Sequence, residues 1–153
     1  MTDTPERIET TSLTNFICFA VYSANLAFSR VYKPILEALG LTYPQYITLI
    51  ALWEEGELTV KGLSERLFLE PSTMTPMLKR LEAMGYVTRR RGTEDERVVY
   101  VALTEEGRKV REKGIPFGDV TMKATGLPLR DMVRLQKDII RLRDNLMAAS
   151  KDN

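Results

Sequence analysis

The hydrophobic period of this chain switches to alternation in one segment, and that segment limits the folds open to it. "YVTRRR" and "RVVYVAL" are rich in β-branched residues and alternate apolar with polar, with "GTED" between them. Alternation of this kind around a turn-forming tetrapeptide predicts a β-hairpin. On both sides of it the apolar residues recur at three and four, the helical spacing. The expected fold class is therefore mainly α with a small β-hairpin wing (α+β).

The order of elements follows from capping and breaking residues. From Leu13 to about Leu39 the positions Phe16/Ile17, Ala20/Val21, Ala24, Phe28, Val31, Ile35 and Leu39 make one long helix, with Pro34 expected to kink or divide it near its end and Gly40 to stop it. Pro44 suits the first turn of a second helix whose Tyr46, Ile47, Leu49, Ile50 and Trp53 read as mostly buried. Thr59 caps a third, with Val60, Leu63 and Leu67 on one face. In "PSTMTPMLKRLEAMG", Ser72 or Thr73 is expected to cap a fourth, close to Pro76, with Met77, Leu78, Leu81 and Met84 inward and Gly85 at its end. After the hairpin, Thr104 begins a further helix. Residues 114–128 carry Gly and Pro and read as a loop or broken helix. Met132, Leu135, Ile139, Leu142 and Leu146 form a narrow stripe on a long last helix. Residues 1–11 are polar and read as frayed.

Two short adjacent helices followed by a basic two-stranded ribbon is the layout of a winged helix-turn-helix. The fourth helix has the make-up of a recognition helix: Ser72, Thr73 and Thr75 at its start can bond phosphates or base edges, and Lys79 and Arg80 can neutralise phosphates. By itself that helix could equally be capped and solvated. The ribbon shifts the balance. It carries Arg89, Arg90 and Arg91 in its first strand and Arg97 at the start of its second, and arginine at a hairpin tip fits a narrow minor groove. Strand alternation sends Arg89 and Arg91 to one face and Arg90 to the other. Glu94, Asp95 and Glu96 would repel phosphate unless paired, and an Asp95–Arg97 ion pair resolves the conflict.

Composition constrains the rest. The 153 residues suit one compact unit with appendages, at 44% hydrophobic and 28% charged. The net charge of +1 gives nucleic-acid binding no support; only the local clustering of Lys and Arg does. There is no histidine and one cysteine, Cys18, which removes the commonest general base, any familiar zinc site and any internal disulfide. GxGxxG, GxxxxGK[ST] and GxSxG are absent. These absences argue against an enzyme and against a metal or cofactor. "MTDTPERIETTS" lacks the regions of a signal peptide and no apolar run is long enough for a bilayer, so a cytoplasmic, non-membrane protein is expected. The apolar faces of the first and last helices exceed what one small core needs. Dimerisation through the N- and C-terminal helices is expected, and a two-fold protein would read a pseudo-palindromic site on double-stranded DNA.

"CFAVYSANLAFSRVYKPIL", "LTYPQY", "LW", "STMTPMLKRLEAMGYVTRR" and "DERVVYVALTEEG" together resemble the MarR family of winged-helix repressors. Within it they resemble the OhrR group of organic-hydroperoxide-sensing regulators. The resemblance runs from Cys18 to Gly107. It implies that Cys18 is the peroxide-sensing cysteine and that Tyr32 and Tyr43 are the tyrosines whose hydroxyls bond its sulfur across a dimer. It also implies that Asp95 and Arg97 are the wing pair, with Arg97 in the minor groove, and that Ser72, Thr73, Thr75, Pro76, Lys79 and Arg80 lie on the recognition helix. Phe68 and Glu70 stand where many members have Tyr and Asp. No second cysteine is present to resolve an oxidised Cys18, which makes this a one-cysteine type whose oxidised sulfur would take a low-molecular-weight thiol.

The chemistry of such a sensor can be read from the same residues. The thiolate is the reactive form, and helix-start amides and phenol donors favour it. Tyr22, Tyr32 and Tyr43 are the available phenols. Cys18, Tyr22, Asn25, Ser29 and Tyr32 share one helical stripe, but Tyr32 is about 20 Å from Cys18 along the helix. A second copy running antiparallel would bring the two together. The expected division is residues 1–40 for dimerisation and sensing, 41–107 for DNA binding and 108–153 for dimerisation. The alternative is a MarR-type repressor that answers to a small aromatic ligand, with Cys18 inert.

Overall fold

The computed structural model describes residues 12–113 and 116–151, so the N-terminal stretch read as frayed lies outside the described residues. The chain divides into two compact units between Phe117 and Gly118.

In the first unit a short 3-10 turn, Leu13–Asn15, leads into α1, Ile17–Leu39. Pro34 lies inside this helix and does not divide it, and the helix ends at Gly40, whose φ of 67° is the left-handed conformation glycine tolerates. The next helix, α2 (Tyr43–Glu55), opens on a reciprocal cap. The Gln45 amide N–H donates to the Thr42 hydroxyl at 3.4 Å, and the Thr42 amide donates to Gln45 Oε1 at 2.9 Å. A two-residue strand β1, Leu58–Thr59, precedes α3, Val60–Leu67, which Thr59 caps through the Gly62 amide at 2.9 Å. Phe68, at a left-handed φ of 56°, turns the chain toward α4, Pro71–Ala83.

The wing follows as β2, Val87–Arg91, and β3, Val99–Leu103, paired antiparallel from Val87↔Leu103 to Arg91↔Val99. The expected hairpin is present, and β1 adds a third strand through Leu58↔Val101 and Thr59↔Tyr100, giving the order β1-β3-β2. Its two residues are too short to show a period of their own. Thr104 then caps α5, Glu105–Lys113, through the Gly107 amide, and its hydroxyl donates to the Gly85 carbonyl at 2.6 Å. A Cβ on Gly107 would run into the Tyr86 carbonyl, so α5 lies against the start of the wing at a glycine.

The core of this unit is built from α2, α3, α4 and the wing strands: Leu52, Leu63, Met74, Leu78, Leu81, Val87 and Val101 are each no more than 2% exposed. Burying a Leu or Met of this kind contributes roughly 1.5–3 kcal/mol, and the residues come from elements that local pairing alone would not join. Two expected core positions are not core. Met84 is 40% exposed because it lies past the end of α4, and Trp53 is 42% exposed, with the Arg111 guanidinium over its ring at 2.9 Å from the centroid.

Residues 114–128 hold a helix, α6, Pro116–Thr125, which lies across the division; Gly and Pro there were read as breakers, but Pro116 opens the helix and Gly126, at φ 65°, follows its end. In the second unit α7, Leu129–Lys151, is the long last helix expected, with no fully buried residue. Leu135, Ile139 and Leu146 of its stripe are exposed, as are Ile17, Val21 and Leu26 on α1. No single described helix is long and apolar enough to cross a membrane.

Candidate nucleic-acid interface and sensing residues

Helix α4 divides cleanly. Met74, Met77, Leu78 and Leu81 are buried, while Ser72, Thr73, Thr75, Pro76, Lys79 and Arg80 are all exposed on the opposite side. Neither Ser72 nor Thr73 caps this helix. The N-cap is Glu70, whose side chain makes no capping bond, and Pro71 occupies the first turn. Pro76 sits inside the helix rather than at its start, and Ser72 and Thr73 fall in the first turn with their hydroxyls clear of capping duty. The helix start therefore presents small polar side chains beside the Ser72 amide, since Pro71 has no N–H and the Thr73 and Met74 amides donate to the Glu70 carbonyl; hydroxyls and a helix-start amide together suit phosphate oxygens.

The wing arginines have four different environments. Arg89 is turned back toward α4. Its backbone N–H donates to Glu82 Oε2 at 3.1 Å and its Nη2 to Glu82 Oε1 at 2.9 Å. Arg90, on the other face, donates from Nε to Glu57 Oε2 at 3.2 Å, pairs with Glu57 Oε1 through Nη2, and lies 4.4 Å over the Tyr100 ring. Nη1 of Arg91 donates to the Glu96 carbonyl at 3.1 Å. At the tip the Asp95–Arg97 pair is formed: Asp95 Oδ1 accepts from the Arg97 amide at 3.0 Å and from its Nε at 3.1 Å, and Oδ2 accepts from Nη2 at 3.1 Å. Arg97 is nonetheless 90% exposed, so the pair aims the guanidinium without burying it. The Arg97 hydrogen bonds hold the Asp95 carboxyl below its usual range, and those from Arg89 do the same for Glu82.

The sensing candidates fall in two places within one chain. Cys18 is exposed in the first turn of α1, where Phe19 and Tyr22 are exposed beside it. Tyr32, farther along the same helix, is buried. Its ring stacks on Tyr43 at 4.8 Å and on Phe117 at 5.3 Å, and its hydroxyl lies 3.3 Å from Ser29 Oγ. Tyr46 also meets Phe117, at 4.8 Å. Burial, with a smaller contribution from Tyr32, raises the Tyr43 pKa, so its phenol stays protonated and remains a donor. Sequence reasoning missed Phe117, because an aromatic in a Gly/Pro-bearing stretch carries no periodic signal. It also missed Glu82 and Glu57, the carboxylates that hold Arg89 and Arg90.

Residues 30–113 match the family model of the SarA/Rot transcriptional regulators. The chain is 40% identical over 134 residues to the organic hydroperoxide resistance transcriptional regulator of Bacillus subtilis strain 168, covering 88% of this chain and 91% of that protein. It is 44% identical over 137 residues to the regulator TtmR of Methylorubrum extorquens strain PA1, covering 90% and 70%. The structure of reduced AbfR bound to DNA superposes with a TM-score of 0.73 at 32% identity, covering 88% of this chain and 94% of that one; AbfR comes from Staphylococcus epidermidis.

The chain belongs to the MarR/SarA family of winged helix-turn-helix regulators.

As a MarR/SarA-family protein it is a DNA-binding transcriptional regulator of the OhrR type, not an enzyme. The family model ends at the last residue of α5 and includes α2 to α5, the elements that carry α4 and the wing.

Proposed function

We infer that this regulator is a peroxide-responsive repressor whose switch is Cys18. What carries the reading is an exposed thiol in the first turn of an exposed apolar helix, in a chain 40% identical to a regulator of organic hydroperoxide resistance. Two copies pair through their N- and C-terminal helices, residues 1–40 and 108–153, and place residues 41–107 of each on a pseudo-palindromic operator in the cytoplasm. Ser72, Thr73, Thr75, Lys79 and Arg80 face the major groove, and Arg97, steered by Asp95, enters the minor groove. Arg91 borders the phosphates beside it.

Antiparallel pairing of α1 brings Cys18 of one copy to the Tyr32–Tyr43 stack of the other. There the phenols donate to the thiolate, and Tyr22 stands one turn from it on the same helix. The thiolate attacks the terminal peroxide oxygen and the O–O bond breaks. Sulfenate forms and the alcohol leaves after protonation; sulfur is oxidised and the hydroperoxide reduced. A low-molecular-weight thiol then condenses with the protonated sulfenic acid, releasing water and leaving a mixed disulfide. The added bulk at the pairing seam favours the dimer geometry that does not fit the operator. The test is a DNA-shift assay on an operator duplex with cumene hydroperoxide. Wild type is expected to release and Cys18→Ser to stay bound; equal release by both would sink the reading.

A second reading has an observation of its own. The clustered rings of Tyr32, Tyr43, Tyr46 and Phe117 suit a small aromatic effector, with Cys18 inert. Release by a phenolic compound that Cys18→Ser leaves unchanged would favour it.

A further inference from the structure

The wing reaches a duplex usefully only if its tip and α4 meet that duplex at a fixed separation. The base of the wing is fixed by Val87, 2% exposed, which packs with Leu78 and Leu81 in the core. Beyond Val87 the strand leaves the core and the tip carries the exposed Arg97.

β2 is an outer strand of the sheet, so half of its amides have no strand to bond. Tyr86 accepts from the Thr104 amide at 3.0 Å, and the Gly92 amide donates to Val98 at 2.7 Å. Antiparallel alternation gives Thr88 and Arg90 the same cross-strand role and turns the amides of Val87, Arg89 and Arg91 to the open edge. Glu82, near the C-terminal end of α4, fills that edge at Arg89. One carboxylate oxygen takes the backbone amide and the other takes the guanidinium, at 3.1 and 2.9 Å. Two bonds from one carboxylate to two parts of one residue fix direction as well as distance. The Arg89 side chain is only 24% exposed and its Nε is buried, while the Glu82 side chain is 40% exposed, so the pair is sheltered on its arginine side.

We propose that Glu82 is a positioning residue for DNA recognition: through Arg89 it locks the wing to the recognition helix and sets the spacing at which Arg97 and the exposed face of α4 engage one duplex. Arg89, expected from its charge to touch DNA, serves as the other half of this strut. The inference rests on Arg97 contacting DNA and is independent of Cys18.

The test is a double-mutant cycle on a duplex that the wild-type protein selects from a random pool, at one salt concentration and under reducing conditions. The variants are Glu82→Ala, Arg97→Ala and the pair together, with thermal melts to confirm that each is folded. Glu82→Ala is expected to weaken binding about tenfold, and far less once Arg97 is already alanine, since coupled residues do not add. Footprinting should show minor-groove protection at the flanks lost and major-groove protection kept. Glu82→Gln, which still accepts the backbone amide, should fall between wild type and alanine, and serves if the alanine variant fails to fold. Three results overturn the proposal: wild-type affinity in Arg97→Ala, wild-type affinity in Glu82→Ala and Glu82→Gln, or penalties that multiply in full in the double variant.

Discussion

Glu82 and Asp95 each accept more than one hydrogen bond from a single arginine, and both carboxyls are held below their usual range for that reason. The sign of the pH effect follows. A carboxyl depressed in the folded state binds fewer protons there than in the unfolded chain, so its stabilisation is complete above the ordinary carboxylate value. It is lost as pH falls through the depressed one. Acid titration of the wild type should therefore show a fall in stability below about pH 4, near the ordinary carboxylate value. Glu82→Gln should show a shallower fall over the same window, and an identical profile would exclude Glu82 from it. The Asp95–Arg97 pair was legible in the sequence because it is local, two residues apart in a tight turn. Glu82–Arg89 and Glu57–Arg90 were not, since the partners lie seven and thirty-three positions apart and several carboxylates could have served.

At the scale of elements, α4 starts without the side-chain cap expected of it. Glu70 has the extended backbone of an N-cap, φ −68° and ψ 145°, but its side chain makes no capping bond. Of the first-turn amides only that of Ser72 is left open, because Pro71 has no N–H and the Thr73 amide donates to the Glu70 carbonyl at 2.9 Å. Glu70→Ser should add the missing bond and raise stability by about 1 kcal/mol, read from thermal or urea unfolding. The same change is expected to alter operator affinity, because a capped amide is no longer available to phosphate. Helix boundaries elsewhere were legible where capping chemistry is local. Thr59 and Thr104 each cap the helix that follows, through the Gly62 and Gly107 amides, whereas the Thr42 cap of α2 went unread beside Pro44. α4 misled because Ser72, Thr73 and Pro76 all carry start signals, and Pro71 takes the first turn ahead of them.

At the scale of the molecule, the exposed apolar residues are where the proposed dimer would pair. Leu135, Ile139 and Leu146 on α7, and Ile17, Val21 and Leu26 on α1, are each more than 40% exposed. Apolar surface of that extent marks an interaction site. Ile139→Arg with Leu146→Arg should shift the protein toward monomer in analytical ultracentrifugation and weaken operator binding, while leaving the buried cluster of α2, α3, α4 and the wing intact by circular dichroism. A two-fold regulator loses the gain of simultaneous half-site contact when it separates. If the double variant remains a dimer, α7 is not the pairing surface.

The sequence by itself determined the periods, the turn residues and their order, and hence a helical chain with one wing and an arginine at its tip. Those properties are set within a few residues, where backbone preference and side-chain spacing act. Only the tertiary structure decided which carboxylate holds which arginine, that Tyr32, Tyr43, Tyr46 and Phe117 meet, and that Trp53 lies outside the core. Each of these depends on segments distant in the chain being brought within hydrogen-bonding or van der Waals reach. That proximity comes from burying the shared apolar core, which selects the packing of whole elements and only then the partners of single side chains.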